Sequence, residues 1–191
     1  MTGRIEVRVE EYAGPHRDLI DSFREAEDSE SLLEAYLDLG RVWVARDDVG
    51  EILGHLQVVA EDDGSSWEVK NTAVREEARG RGIGRLMLER AVEEARAAGV
   101  HRVVLATAAA DVGNLRFYQR QGFRMRSVER DAFTPATGYP PGLLIDGIEL
   151  RDRVWLNFVV QHVLQSRADC HVLAQLRRLS DKAVGALADR V

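Results

Sequence analysis

The hexapeptide Arg79-Gly80-Arg81-Gly82-Ile83-Gly84 separates two segments of different periodicity. Before it, Trp67 to Val74 reads as a strand. After it, Ile83, Leu86, Met87, Ala91 and Ala95 recur at helical spacing and stop at Gly99. A glycine turn between a strand and a helix presents backbone N–H groups at the positive end of the helix dipole, where phosphate is favoured. Glycine also lets the main chain approach a ligand closely. A pyrophosphate is the natural occupant, but two common phosphate loops do not fit. A G-x-G-x-x-G dinucleotide loop starting at Gly80 needs glycine where Arg85 stands, and the turn comes too late in the chain for a first βαβ unit. A G-x-x-x-x-G-K-[ST] loop needs a Gly-Lys dipeptide, which the sequence lacks.

Outward from this turn the chain alternates strands and helices. Ile5, Val7 and Val9 alternate with Glu6, Arg8 and Glu10, which predicts a strand over 4–10. Helical spacing through Leu19, Ile20 and Phe23, and again through Leu32, Leu33, Tyr36 and Leu37, predicts two short helices, the second ending at Gly40. Runs 41–47 and 51–60, joined by Asp47-Asp48-Val49-Gly50, and then 67–74 predict three successive antiparallel strands. Downstream, the expected order is helix 83–98, strand 101–107, helix 113–121 with Gly122 as its stop, and strand 123–128. A long loop over 131–148 holds three of the four prolines and precedes a strand over 149–160. Val172, Leu176, Leu179, Ala183 and Leu187 predict helix over about 161–190. The class is a mixed α/β domain.

Composition agrees with one ordinary globular domain: 191 residues, 45% hydrophobic and 30% charged. A net charge of −6 argues against sequence-independent nucleic-acid binding. No metal-ligand spacing is present, and the single Cys170, next to His171, cannot form an internal disulfide, so a reducing, cytoplasmic setting is expected. No apolar leader and no run long enough to span a membrane are found in the sequence.

The pattern Arg79-x-x-Gly82-x-Gly84 resembles the Arg/Gln-x-x-Gly-x-Gly/Ala motif of the GNAT superfamily of acyl-CoA-dependent N-acyltransferases. The resemblance extends from Val74 at the end of the preceding strand through helix 83–98 and strand 102–107 to Phe117-Tyr118-Gln119-Arg120-Gln121-Gly122-Phe123. It covers about 67–126 closely and the rest by element order. It implies a central, mostly antiparallel twisted sheet flanked by helices, here as residues 1–160, with 161–191 as an extra C-terminal helical segment packed on the domain or on a second subunit of a homodimer. It also implies direct acetyl transfer from acetyl-CoA to a primary amine on a small molecule, peptide or protein, without a metal. The competing class is a non-catalytic acyl-CoA-binding or regulatory module on the same fold.

By the same resemblance, main-chain amides of Val74 and of Arg79, Gly80, Arg81, Gly82, Ile83 and Gly84 bind the cofactor, and Tyr118 protonates the departing thiolate. The family places an asparagine seven residues before that tyrosine, where this chain has Asp111. Asn114, four residues before it, either contacts the cofactor or caps the helix. Glu68 is the candidate base, directly or through water, with Asn71 and His55 as alternatives. Even spacing puts Glu68, Lys70, Thr72 and Val74 on one strand face if no bulge intervenes. The acceptor pocket is expected from the first helices, strand 51–60 and loop 131–148, with Phe133 and Tyr139 closing over it. Asp131 and Asp146 are candidates for attracting a cation.

Overall fold

Val42, Trp43, Val44 and Ala45 are all buried in strand β2 (Arg41–Arg46), so both faces of the sheet are covered there. Alternate side chains go to opposite layers. Val42 and Val44 pack with Phe23 of α1 (Ile20–Arg24) and Leu33 of α2 (Glu30–Tyr36). Trp43 and Ala45 join the larger core with Ile83, Met87, Ala91 and Ala95 of α3 (Ile83–Ala97). This computed structural model describes residues 6–62 and 64–160.

Among the described residues the main sheet has seven strands. Strand β1 (Arg8–Glu11), β2, β3 (Ile52–Ala60) and β4 (Ser66–Val74) follow one another antiparallel. Next comes β5 (Arg102–Ala108), parallel to β4. Helix α4 (Val112–Arg120) then leads to β6 (Arg124–Glu129), and a hairpin of β7 (Leu144–Ile145) and β8 (Ile148–Glu149) precedes β9 (Arg153–Val159). Strand β9 inserts between β5 and β6, antiparallel to both. The mostly antiparallel, helix-flanked sheet expected from the sequence is therefore observed.

Boundaries differ where local signals were weak. The first strand runs Arg8–Glu11 rather than 4–10, and the first helix is preceded by a 3₁₀ turn at His16–Leu19. The 131–148 loop contains a proline-led 3₁₀ turn and most of the small hairpin, which shortens the last strand to Arg153–Val159. The helix expected over 161–190 lies outside the described residues. No helix among the described residues is long and apolar enough to cross a membrane.

Two glycine-ended helices fix the elements next to the cleft. At the end of α3, the Val100 N–H donates to Ala95 O and the Gly99 N–H to Arg96 O. At the end of α4, the Phe123 N–H donates to Tyr118 O at 3.1 Å and the Gly122 N–H to Gln119 O at 3.0 Å. These are Schellman closures, which bring the residue after the glycine back onto the last turn. In α4 the contact is Tyr118 against Phe123, edge to face with centroids 6.2 Å apart. The spacing Tyr-x-x-x-Gly-Phe is thus a physical device that holds the Tyr118 ring in place.

Gly122 has φ +88°, and an added Cβ would come within 3.2 Å of the Phe158 ring. Gly122→Ala should therefore destabilise the fold by about 1–2 kcal/mol, the cost of a left-handed L-residue. Urea unfolding reads this as a lowered midpoint, and an unchanged midpoint would contradict the closure described.

Candidate active site

Strands β4 and β5 pair only from Ser66↔Arg102 to Val69↔Leu105. Beyond that point β4 stays on β3 as far as Val74 and β5 stays on β9 as far as Ala108, so the two part company. The parting coincides with a bulge. Gln57 pairs with Asn71 and Val58 with Val69, which leaves Lys70 as the extra residue. A bulge bends its strand and sharpens the local twist. The result is a cleft of about 1670 Å³ lined by both strands, the glycine turn and α4.

The open edge of β4 carries unused backbone groups. The Arg75 N–H donates to Leu53 O at 2.9 Å. Bonded residues alternate in an antiparallel ladder, so Ala73 and Asn71 continue the bonding to β3 while Thr72 and Val74 turn their N–H and C=O groups toward the gap. The carbonyl of Val74 accepts there from Arg79 Nε at 3.0 Å. Unpaired main-chain groups in a cleft need partners, and an extended ligand bearing amides supplies them.

At the mouth of the gap, Gly80 and Gly82 take positive φ, and Gly82, with φ +83°, precedes the first turn of α3. No atom lies within 4 Å of where their Cβ atoms would stand, so the turn is open above its backbone. Gly84 also has a packing role. A Cβ there would meet Phe117 Cζ at 3.1 Å, so Gly84 is what lets α3 and α4 pack closely. The Arg79 side chain is held to Val74 O and lies 3.6 Å from Glu25, whereas Arg81 is exposed. Arg75 pairs with Glu51.

Tyr118 is 6% exposed and lines the cleft, and its hydroxyl has no hydrogen-bond partner among the described residues. Burial, with a smaller contribution from Asp111, pushes its pKa up to about 12, so it remains a proton donor at neutral pH. The helix cap is Asp111, not Asn114. The Asp111 carboxylate accepts from the Asn114 N–H at 2.7 Å and from Asn114 Nδ2 at 2.7 Å. Asn114 still lines the cleft, braced by the cap.

The bulge at Lys70 separates Glu68 from the Thr72 and Val74 face on which even spacing would have put it. Glu68 pairs with Val59 and Asn71 with Gln57, so both side chains fall on the α1–α2 side of the sheet. Glu68 lines the cleft with its carboxylate 3.1 Å from Lys70 Nζ. His55 and Asn71 are not free to act as bases. His55 is fully buried and stacked on Phe23 at 4.2 Å, with Nδ1 at 2.7 Å from Ser22 Oγ and Nε2 at 2.9 Å from Asn71 Oδ1. Burial lowers its pKa from 6.5 to about 4, and it stays neutral. Asn71 Nδ2 donates to Phe23 O at 3.2 Å and to Tyr36 Oη at 2.8 Å, so its amide is fully used.

At the acceptor end the chain of bonds continues to a residue that sequence reading missed. Burial pushes the Tyr36 pKa up to about 12, and its O–H lies 3.5 Å from Glu27 Oε2. Glu27 Oε1 accepts from Tyr139 Oη at 2.8 Å and from the Ser29 N–H at 3.0 Å. Burial, and then this bond to Glu27, raise the Tyr139 pKa. Phe133 and Tyr139 both line the cleft, edge to face at 4.9 Å. Asp131 and Asp146 do not line the cleft, and Asp131 is tied to Arg151 at 2.7 Å. Strand β3 lies behind β4 and contributes no lining residue. Glu27 sits in Glu25-Ala26-Glu27-Asp28, which reads as solvated acidic loop, so no local signal marks it. Among the described residues no group of His, Cys, Asp or Glu is placed to hold a metal ion.

Comparison with known proteins agrees with this geometry. The family model described as "Acetyltransferase (GNAT) family" matches residues 10–123. The N-acetyltransferase YvbK of Bacillus subtilis, itself uncharacterized, is 26% identical over 151 residues, covering 79% of this chain and 95% of that protein. A Bacillus subtilis acetyltransferase solved in complex with CoA superposes with a TM-score of 0.74 at 25% identity, covering 82% of this chain and all of the other. A GNAT family acetyltransferase from Elizabethkingia anophelis with acetyl-CoA bound gives 0.71 at 26% identity, covering 83% of this chain and 99% of that one.

The buried histidine makes stability depend on pH. Its folded pKa lies below the unfolded value, so between 6.5 and about 4 the unfolded chain binds the extra proton and is favoured. Stability is full above pH 6.5 and should fall by roughly 3 kcal/mol as the pH drops through that window. Urea unfolding of the native chain and of His55→Gln from pH 7.5 to 4.5 should show a shallower slope in the variant. Equal slopes would contradict the neutral, buried assignment.

Proposed function

Because the chain belongs to the acetyltransferase (GNAT) family and is an acetyl-CoA-dependent N-acetyltransferase, we propose that it transfers the acetyl group directly to a primary amine at the parting of β4 and β5. The observation that carries this reading is buried Tyr118, which lines the cleft and whose hydroxyl has no hydrogen-bond partner among the described residues. In this reading the pantetheine arm takes up the Thr72 N–H and C=O and the Val74 N–H, as an added strand would, while Arg79 Nε holds the Val74 carbonyl. The pyrophosphate sits over Gly80, Arg81 and Gly82 at the N-terminus of α3, where amides and helix dipole favour anionic oxygens.

The chemistry needs a neutral amine, a stabilised oxyanion and a proton for the leaving thiolate. Glu68 takes a proton from the acceptor ammonium, directly or through one water. The amine nitrogen then attacks the thioester carbon, and its oxygen gains charge beside a main-chain N–H of the open edge of β4. The intermediate collapses with cleavage of the C–S bond. The thiolate takes the Tyr118 hydroxyl proton, the nitrogen loses its second proton to solvent, and solvent then removes the proton from Glu68 and reprotonates Tyr118. Burial holds the Tyr118 pKa up at about 12, so the hydroxyl is protonated at neutral pH. All of the residues given a role here lie among the described residues, within 6–160. The lone Cys170 supports a cytoplasmic setting.

Calorimetric titration with acetyl-CoA should give binding, with ATP and NAD silent. Tyr118→Phe should bind acetyl-CoA about as tightly as the native chain while kcat at neutral pH falls about 100-fold. Unchanged turnover in that variant would remove Tyr118 as the acid.

A further inference from the structure

Besides Glu68, the acceptor end of the cleft carries negative charge that the proposed transfer does not use. Glu25, Glu27, Asp28 and Glu68 line it against Lys70 and Arg153. Lys70 pairs with Glu68 at 3.1 Å, Arg153 with Glu129 at 3.3 Å, and Glu25 lies 3.6 Å from Arg79. Among the described residues, Glu27 and Asp28 pair with no lysine or arginine.

Glu27 is also positioned. Tyr139 donates to one oxygen at 2.8 Å, the Ser29 N–H to the same oxygen at 3.0 Å, and the Tyr36 O–H lies 3.5 Å from the other. These donors are neutral, so they orient the carboxylate without cancelling its charge. Tyr36 is in turn held by Asn71, and Asn71 by His55. A row of buried polar groups that runs from α1 across the sheet therefore ends on one half-buried carboxylate in the cleft. Tyr118, 6% exposed and with no hydrogen-bond partner on its hydroxyl among the described residues, lines the same cleft and independently marks it as the place where a ligand reacts.

The protein's own side chain shows which chemistry the floor of this end accepts. Lys70 Nζ stands 5.6 Å over the Tyr36 ring and 3.1 and 3.4 Å from the two Glu68 oxygens. An alkylammonium is thus already held there by an aromatic face and a carboxylate. Glu27, 3.5 Å from the hydroxyl of the same Tyr36, offers a carboxylate of the same kind with no lysine or arginine on it among the described residues.

We propose that Glu27 determines acceptor specificity by binding a second ammonium group of the substrate, so that the acceptor class is an aliphatic amine carrying a second positive charge. The proposal rests on the acetyl-transfer reading above. An amine with no second charge loses the ion pair, and one with a distal carboxylate meets repulsion from Glu27 and Asp28.

The test compares three acceptors of matched length, 1,4-diaminobutane, butylamine and 4-aminobutanoate, with the native chain and with Glu27→Gln. The native chain should prefer the diamine over butylamine at least tenfold in kcat/KM, with 4-aminobutanoate lowest. In Glu27→Gln the diamine preference should collapse toward one, while calorimetric affinity for acetyl-CoA is unchanged. Preference for butylamine or 4-aminobutanoate in the native chain overturns the proposal without any variant, as does a diamine preference that survives Glu27→Gln. Acetyl-CoA binding with no turnover of any of the three also overturns it and leaves the cofactor assignment standing. Failure to bind acetyl-CoA overturns the underlying reading instead.

Discussion

The short parallel ladder between β4 and β5 is the constraint on which the rest of the site depends. Four residue pairs join the strands, and a bulge at Lys70 then turns β4 away. Had the ladder continued to Val74 and Ala108, every backbone group of the two strands would be used and no gap would exist. Because it stops, Thr72 and Val74 present an unused edge inside the protein, a state tolerated when a ligand or water completes it. The seven-stranded sheet keeps its integrity because β3 and β9 hold the outer sides of the two diverging strands.

Around that gap the sequence places short-range devices that need no long-range information. Gly82 starts α3 in a left-handed conformation, and Gly122 ends α4 so that Phe123 folds back on Tyr118. Asp111 caps α4 and gathers the Asn114 side chain with the same carboxylate. Each is a few residues long, which is why the glycine turn was legible from residue order, whereas Tyr118 was singled out by the family resemblance. The family resemblance then supplied what such turns hold.

What the sequence did not disclose depends on pairing across the sheet. Nothing local to β9 announces that it inserts between β5 and β6, because its partners lie 24 to 57 residues earlier in the chain. The bulge at Lys70 changes which way Glu68 points, and a bulge shows only when β3 and β4 are laid side by side. His55 looked like a candidate base because an isolated histidine in a strand has no visible neighbours in sequence. Ser22, 33 residues away, and Asn71, 16 away, are what make it a structural group. Glu27 was missed for the same reason, since Tyr139 reaches it from 112 residues downstream. The polar row from Ser22 to Glu27 illustrates how buried donors and acceptors are satisfied in sequence-distant pairs, and why each member constrains the next.

The central claim is that acetyl-CoA lies along the open edge of β4 with its pyrophosphate on the glycine turn. Amide hydrogen exchange, resolved by residue with and without acetyl-CoA, tests it most directly. The account predicts slowed exchange at Thr72, Val74 and the amides of Gly80 to Gly82, with little change at Ala73, whose N–H already bonds to β3. Binding that leaves Thr72, Val74 and the turn unprotected would contradict it.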